Sequence, residues 1–394
     1  MPLNFDNTEV AFSSKNNFEL RKAHFLFSSM GKPWLTKMGI SFTHFAFKFH
    51  LPVKGLIKST IFKQFCGGET LGEADITALN LEKYNISVIM DYGVEGKSDE
   101  AEFEKTTNTF IQTIKFAAKK HYIPFISLKV TGFCRFQLLE KIHNNEILSI
   151  EEEKEFDRFQ KRIDTICYCA VQNDKMILVD AEESWIQNPV DSITNVMMAK
   201  YNREKVFVFN TFQLYRHDRL AFLKESFAVA NQKGYLLGAK LVRGAYMEKE
   251  RQRAAEMNYA SPIQPNKESS DNDYDSAVRF CIDNIDNISL FIGTHNEHSC
   301  MLATQLMEQK GIAKDNPHIC FSQLFGMSDN ISFNLANAGY KVSKYLPYGP
   351  VEDVIPYLMR RAQENTSVAG QTSRELVLIQ KEMKRRKETN YPNN

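Results

Sequence analysis

Residues 86–96 read ISVIMDYGVEG, and the turn after the apolar run in this stretch decides the fold. Ile86 to Met90 has the continuous apolar character of a strand buried on both faces, as strands of a parallel sheet do. An open doubly wound sheet normally places a Gly-rich phosphate turn directly after its first strand. Asp91-Tyr92-Gly93-Val94-Glu95-Gly96 lacks that spacing, so a closed barrel is the expected arrangement.

Further apolar runs occur at Phe125 to Phe133, Lys175 to Glu182, Val206 to Leu214, Leu236 to Tyr246, Ile288 to Asn296, His318 to Gly326 and Val342 to Tyr348. Each is succeeded by polar or amphipathic sequence long enough for a crossover helix, for example Asp99 to His121, Glu151 to Gln172, Arg216 to Lys233 and Glu297 to Lys310. Eight strand-then-helix units predict an α/β fold of the (βα)8 barrel type. Before residue 86 the chain reads as helices without convincing strands, the first broken at Gly31-Lys32-Pro33. The expected organisation is an N-terminal helical region over 1–85, a barrel over 86–370 and a C-terminal helical tail over 371–394.

The composition excludes some functions. A chain of 394 residues with 43% hydrophobic side chains can bury a large core. A net charge of +1 and a pI near 7.6 carry no electrostatic footprint for nucleic acid. The seven cysteines are odd in number and scattered without a CxxC pair, which suggests a reducing compartment rather than a disulfide framework. MPLNFDNTEVAFSS has the pattern of neither a secretory signal nor a transit peptide, and no apolar run approaches the ~18–20 residues that span a bilayer. A cytoplasmic location is expected, with a peripheral position at the inner face of a membrane as an extension of it. The segment for that contact is Lys37 to Phe65, where Phe42, Phe45, Phe49, Ile61 and Phe65 interleave with Lys37, Lys48, Lys54, Lys58 and Lys63. Such a pattern suits a membrane-surface helix, and it suits better an ordinary packing helix with lysine stems.

Barrel chemistry sits at the carboxyl ends of the strands. Those ends carry Asp91, Lys129, Asp180 with Glu182 and Glu183, Gln213, Lys240 with Arg243, Thr294 with His295, Gln323 and Tyr345. Single members have structural explanations, such as a capping Asp or a satisfied core His, but polar residues recurring at one end of all eight runs indicate an active site. Gly244 after Arg243 would let a flat or phosphorylated ligand approach the backbone. KESSDND at 267–273 reads as a polar loop that could hold an adenosine tail. His295-Asn296-Glu297-His298 lacks a third zinc ligand, and no nucleophile triad is evident. A cationic, aromatic cavity poor in acid–base pairs suits a redox cofactor.

The last unit, KYLPYGPVEDVIPYLMRRAQENTS at 344–367, sets a Gly-Pro turn and an acidic first turn before a two-faced helix. Ile355, Leu358, Met359 and Ala362 share one side, and Tyr357, Arg360, Arg361 and Glu364 the other. Pro356 predicts a kink or a start one turn later. The polar side is either a solvated surface or a pair of guanidiniums gripping a small carboxylate.

Together with RGAYMEKE at 243–250, THN at 294–296, QLFGMSD at 323–329, TFQLYR at 211–216 and DAEE at 180–183, this unit resembles the proline dehydrogenase family of flavoenzymes. YLMRRAQEN is the most specific of these motifs. The resemblance implies a distorted (βα)8 TIM-type barrel that holds FAD at the strand ends. It implies a catalytic set of Lys129, Asp180, Tyr345, Arg360, Arg361 and Glu364. Within it Arg360, Arg361 and Lys129 bind the proline carboxylate, Tyr345 packs on the pyrrolidine ring, and Glu364 and Asp180 balance charge. Leu324 and Tyr246 line the pocket. Gln213, Lys240, Arg243, Thr294, His295, Asn296 and Lys267 match flavin-contacting positions, with Asp180, Thr211, Gly244, Ala245, Glu364 and Ser367 completing the cofactor set. Lys240 stands where many bacterial relatives carry Arg, and it keeps the charge without the planar fork.

The implied reaction moves hydride from proline C5 to flavin N5, giving Δ1-pyrroline-5-carboxylate, the first step of proline catabolism to glutamate. A membrane quinone takes the electrons, and a separate pyrroline-5-carboxylate dehydrogenase is the expected partner. Two other readings stay open on the residues alone. One is a Schiff-base barrel lyase using Lys129 or Lys240, and the other is a catalytically silent, membrane-associated binding module.

Overall fold

The structure is a computed structural model that describes residues 3–32, 34–35, 38–39, 53–93, 98–367 and 371–389. Every one of the eight apolar runs contains a strand: β1 Ile86–Tyr92, β2 Phe125–Leu128, β3 Met176–Val179, β4 Val208–Gln213, β5 Leu237–Val242, β6 Ile288–Gly293, β7 Ile319–Leu324 and β8 Val342–Tyr348. They close into a barrel in sequence order. Pairing is parallel, with Met90 opposite Ile126, Ile126 opposite Ile177, Leu178 opposite Phe209, Ala239 opposite Leu290 and Leu290 opposite Ile319.

The crossover helices are α1 Glu100–Ala117, α2 Ile150–Gln172, α3 Gln187–Tyr201, α4 Arg219–Lys233, α5 Lys267–Asp283, α6 Glu297–Gln309, α7 Asp329–Asn337 and α8 Val351–Ser367. Their starts are capped as helix N-termini require: Asp99 accepts the Glu102 N–H, and Ser149 forms a capping box with Glu152. The stretch expected as a polar loop at 267–273 is instead the first two turns of α5. Asn266 accepts the Ser269 N–H, and Tyr274, Ala277, Val278 and Cys281 recur at helical spacing on the buried side. Polar composition had hidden that period.

By contacts the chain divides into two compact units, residues 89–322 and residues 1–88 with 323–394. In the first, Phe125 meets Phe209 and Phe291 edge to face, with ring centroids 6.2 and 5.1 Å apart. These rings come from β2, β4 and β6, the alternate-strand layering that fills barrels of this type. Side chains two residues apart on a strand share a face, so Ser127 and Lys129 follow Phe125, and Thr211 and Gln213 follow Phe209, along the same side. Polar groups thus stand above an aromatic layer.

In the second unit, Phe12, Leu20, Phe27, Phe62, Phe65, Val354, Leu358 and Leu378 belong to one buried cluster. The described part of the lysine–phenylalanine segment takes the packing role. Ile57, Phe62 and Phe65 are buried, while Lys54 bridges Glu69 and Glu352, and Lys58 bridges Glu69 and Glu73. Phe42, Phe45, Phe49, Lys37 and Lys48 lie outside the described residues. Helix α8 runs from Val351 with Pro356 inside it, so its start is not delayed by a turn.

Candidate active site

At the carboxyl ends of β1, β2, β3 and β5, four charged side chains converge. Asp180 is nine-tenths buried and accepts the Ser127 hydroxyl at 2.8 Å and the Lys240 ammonium at 2.5 Å. Lys129 stands 3.6 Å from Asp180 and 3.6 Å from Asp91. Burial alone would raise the Asp180 carboxyl. The charges of Lys240 and Lys129 and the hydrogen bonds from Lys240 and Ser127 outweigh it and hold the group at about 2. With two ammoniums and two carboxylates the cluster is formally neutral.

The neighbouring strand ends present polar groups in a different state. Thr211 donates its hydroxyl to the Val179 carbonyl at 2.7 Å. Gln213 is buried, and its Oε1 accepts no hydrogen bond among the described residues. A buried acceptor left in that state costs ~1–3 kcal/mol, so a donor from a bound group fits there. Arg243 stacks over Tyr274 at 4.3 Å and donates to Asp271 at 2.7 Å, Thr294 at 2.7 Å and Ser299 at 3.0 Å. Those bonds engage three of the five N–H groups a guanidinium carries. Asp271 also takes Lys267 at 2.5 Å, which ties the start of α5 to Arg243. Asn296 caps α6 by accepting from His298 and Ser299, while Thr294 accepts from the Asn296 N–H; His295 beside them is half-buried. Gly244 has φ 141°, and a Cβ there would run into the Tyr215 ring. The missing side chain therefore makes room for Tyr215. Ala245 beside it is exposed, and the Tyr246 hydroxyl lies 3.4 Å from Glu182.

In the second unit, Leu324 ends β7 and is half-buried, and Tyr345 on β8 is buried. On α8, Arg361 is 7% exposed and lies 5.2 Å from the Tyr357 ring centroid, and Arg360 is half-buried. The wheel placed Tyr357 and Arg361 opposite Leu358 and Ala362, yet all four are buried, so this part of the helix is enclosed on both sides. An apolar cavity of about 270 Å³ opens against Ile355, Leu358 and Met359 of α8, the side away from the guanidiniums. The side chains of Glu364 and Ser367 lie outside the described residues.

Sequence reasoning missed a buried network behind the first site. Asp191 of α3 accepts both terminal nitrogens of Arg219 at 2.9 Å, Asn210 at 2.9 Å and Gln187 at 3.0 Å. Gln187 in turn accepts the Glu182 N–H at 2.9 Å, and Glu182 accepts the Thr131 hydroxyl at 3.0 Å. This arrangement holds the chain between β3 and α3. Its one sequence signal is Asn210, a polar residue between Val208 and Phe212 on the face of β4 opposite Thr211 and Gln213.

A family model described as proline dehydrogenase matches residues 74–374. The chain is 35% identical over 379 residues to "Proline dehydrogenase 1, mitochondrial" of Dictyostelium discoideum, covering 85% of this chain and 66% of that one. It is 32% identical over 365 residues to "Hydroxyproline dehydrogenase" of Xenopus laevis, covering 84% of this chain and 78% of that one. Among solved structures it superposes on proline utilization A from Bdellovibrio bacteriovorus, inactivated by N-propargylglycine, with a TM-score of 0.71 at 22% identity. That match covers 80% of this chain and 34% of the larger one, and it supports the barrel fold. The chain thus spans just under two thirds of the first relative and about a third of the solved structure. With the family model covering most of its barrel, the chain belongs to the proline dehydrogenase family.

Proposed function

We propose that this chain is a flavin-dependent dehydrogenase that oxidises L-proline to Δ1-pyrroline-5-carboxylate. The observation that carries the reading is the buried Asp91–Lys129–Asp180–Lys240 cluster at the strand ends of a family barrel. The cluster is already neutral, so an incoming carboxylate needs further positive charge, and α8 carries it in Arg360 and Arg361. In this reading Lys129, Arg360 and Arg361 contact the substrate carboxylate, Tyr345, Leu324 and Tyr246 bound the ring, and Asp180 and Glu364 balance charge.

The residues present fit FAD. Gln213 offers a buried acceptor for a ring N–H, Lys240 supplies a charge beside it, and Arg243 keeps two N–H groups for a phosphate or ribityl oxygen. Thr211, Gly244, Ala245, Lys267, Thr294, His295, Asn296 and Ser367 complete the proposed contacts. When bound, FAD would supply the acceptor for the proline C5 hydride, with a membrane quinone as the proposed final electron acceptor. The protein's own part is orientation: a paired clamp fixes the carboxylate, and with it the face of the ring that is presented. The cations also disfavour a charged substrate nitrogen, which keeps the amine in its neutral, donating form. Product is consumed by a separate pyrroline-5-carboxylate dehydrogenase.

No described helix is long and apolar enough to cross a membrane, so contact with the quinone-bearing bilayer is proposed as peripheral. The Schiff-base alternative fits less well, since such a nucleophile must be an uncharged amine, and Lys240 is held in an ion pair by an ionised Asp180. The test is the visible spectrum of the purified protein. A flavin spectrum that bleaches on anaerobic addition of L-proline supports the proposal. A colourless protein, after reconstitution with FAD, that leaves proline unchanged overturns it.

A further inference from the structure

Beyond Leu324 the chain turns through Phe325, Gly326, Met327 and Ser328 into α7, and the turn contains two left-handed residues, Gly326 at φ 78° and Ser328 at φ 50°. Glycine adopts that backbone freely, while a serine there is strained. Side chains from other elements hold the turn in place. Gln64 donates to the Gly326 carbonyl at 2.8 Å, and Glu375 of the C-terminal helix Gln371–Glu388 accepts the Ser328 N–H.

The central fastener is Lys344, which is wholly buried on β8. Its ammonium donates to the Met327 carbonyl at 2.5 Å, lies 3.4 Å from the Leu324 carbonyl and pairs with Asp329 at 2.9 Å. Asp329 opens α7 and takes Lys15 on its other oxygen at 2.9 Å. Successive side chains on a strand point to opposite faces, so Lys344 and its neighbour Tyr345 lie on opposite faces of β8. The Tyr345 carbonyl accepts the Phe325 N–H at 2.9 Å. One buried ammonium therefore ties the end of β7 to the strand that carries Tyr345.

We propose that Lys344, paired with Asp329, is a positioning residue for substrate specificity: it fixes the spacing between Leu324 and Tyr345 and so determines which ring substituents are accepted. The inference rests on the reading that these two side chains bound the proline ring. A lysine in this place is chemically specific. A methionine would fill the volume but leave the Met327 carbonyl without the ammonium and the Leu324 carbonyl with only the Met327 N–H, and the turn would be free to relax. Asp329 keeps Lys15 as a partner when Lys344 is replaced, so loss of the ammonium does not orphan the carboxylate.

The test compares Lys344→Met with Lys344→Gln, which keeps an N–H donor without the charge, in the flavin-loaded full chain. Activity is measured on L-proline and on trans-4-hydroxy-L-proline, alongside thermal unfolding. Both variants should show a KM for proline raised with kcat little changed and a proline-to-hydroxyproline ratio of kcat/KM lowered, about tenfold in Lys344→Met and less in Lys344→Gln. A ratio that stays at the parent value in a folded variant overturns the proposal. If Lys344→Met does not fold, Lys344→Gln alone decides. A parent chain inert toward proline would refute the proposed activity instead, which is a different outcome.

Discussion

Arg361 shows how far a single position can be read in advance. Its place in a two-arginine motif was visible in the letters, but a surface ion pair and a buried clamp have the same spelling. Burial to 7% exposure beside the Tyr357 ring takes Arg361 off the solvated surface, and the carboxylate clamp is the role proposed for it. Arg361→Ala should raise the KM for proline more than ~tenfold, because truncating one partner of a desolvated charge pair costs about 2–5 kcal/mol. Steady-state kinetics of the variant checks this, and an unchanged KM would remove the residue from the carboxylate clamp. Asp180 was equally visible as a strand-end carboxylate. That Lys129 and Lys240 pair with it was not legible, for they come from β2 and β5, distant in sequence.

Strands and helices were legible to different degrees. Every strand was marked by apolar character, because burial on both faces leaves a continuous signal. Helix α5 was misread at its start, where the charged Lys267, Glu268, Asp271 and Asp273 gather before the first buried ring at Tyr274. The turn after β5 shows a second limit. Gly244 was recognisable as special, but whether the space it leaves belongs to a ligand or to Tyr215 depends on where β4 ends. Gly244→Ala combines an unfavourable φ of 141° with a collision against Tyr215, and it should destabilise the fold by ~1–3 kcal/mol. Denaturant unfolding measures this, and an unaltered midpoint would mean that the Tyr215 ring shifts freely.

Over the whole molecule, the buried carboxylates give stability a pH dependence of two signs. Asp180 and Asp329 are held at about 2 although burial alone would raise both, the first by its lysines and the second by Lys15 and Lys344. Below their ordinary value of 3.8 the unfolded chain binds more protons than the folded one, so this contribution is present above about pH 4 and is lost toward pH 2. Glu375 runs the other way. Burial and then the nearby Asp329 raise its carboxyl to about 7, against the pull of the Ser328 N–H, Lys344 and Lys15. Between its ordinary 4.5 and about 7 the folded state keeps a proton that the unfolded state has lost, so stability should fall as pH rises through that window. Melting temperatures from pH 5 to pH 8 should decline in the parent and stay flatter in Glu375→Gln. Parallel curves for the two proteins would assign the decline to other groups.

The letters alone determined the barrel, its eight strands and the family motif, because alternation of buried strand and amphipathic helix is a local property that each segment carries by itself. Only the tertiary structure decided which charges meet: Asp180 with Lys129 and Lys240, Arg243 with Asp271 and Thr294, and Lys344 with Asp329 and the turn after Leu324. Closure of the barrel sets the distances between strand ends. Coulomb and hydrogen-bond energies change steeply over those few ångströms, and nothing in the spacing along the chain encodes them.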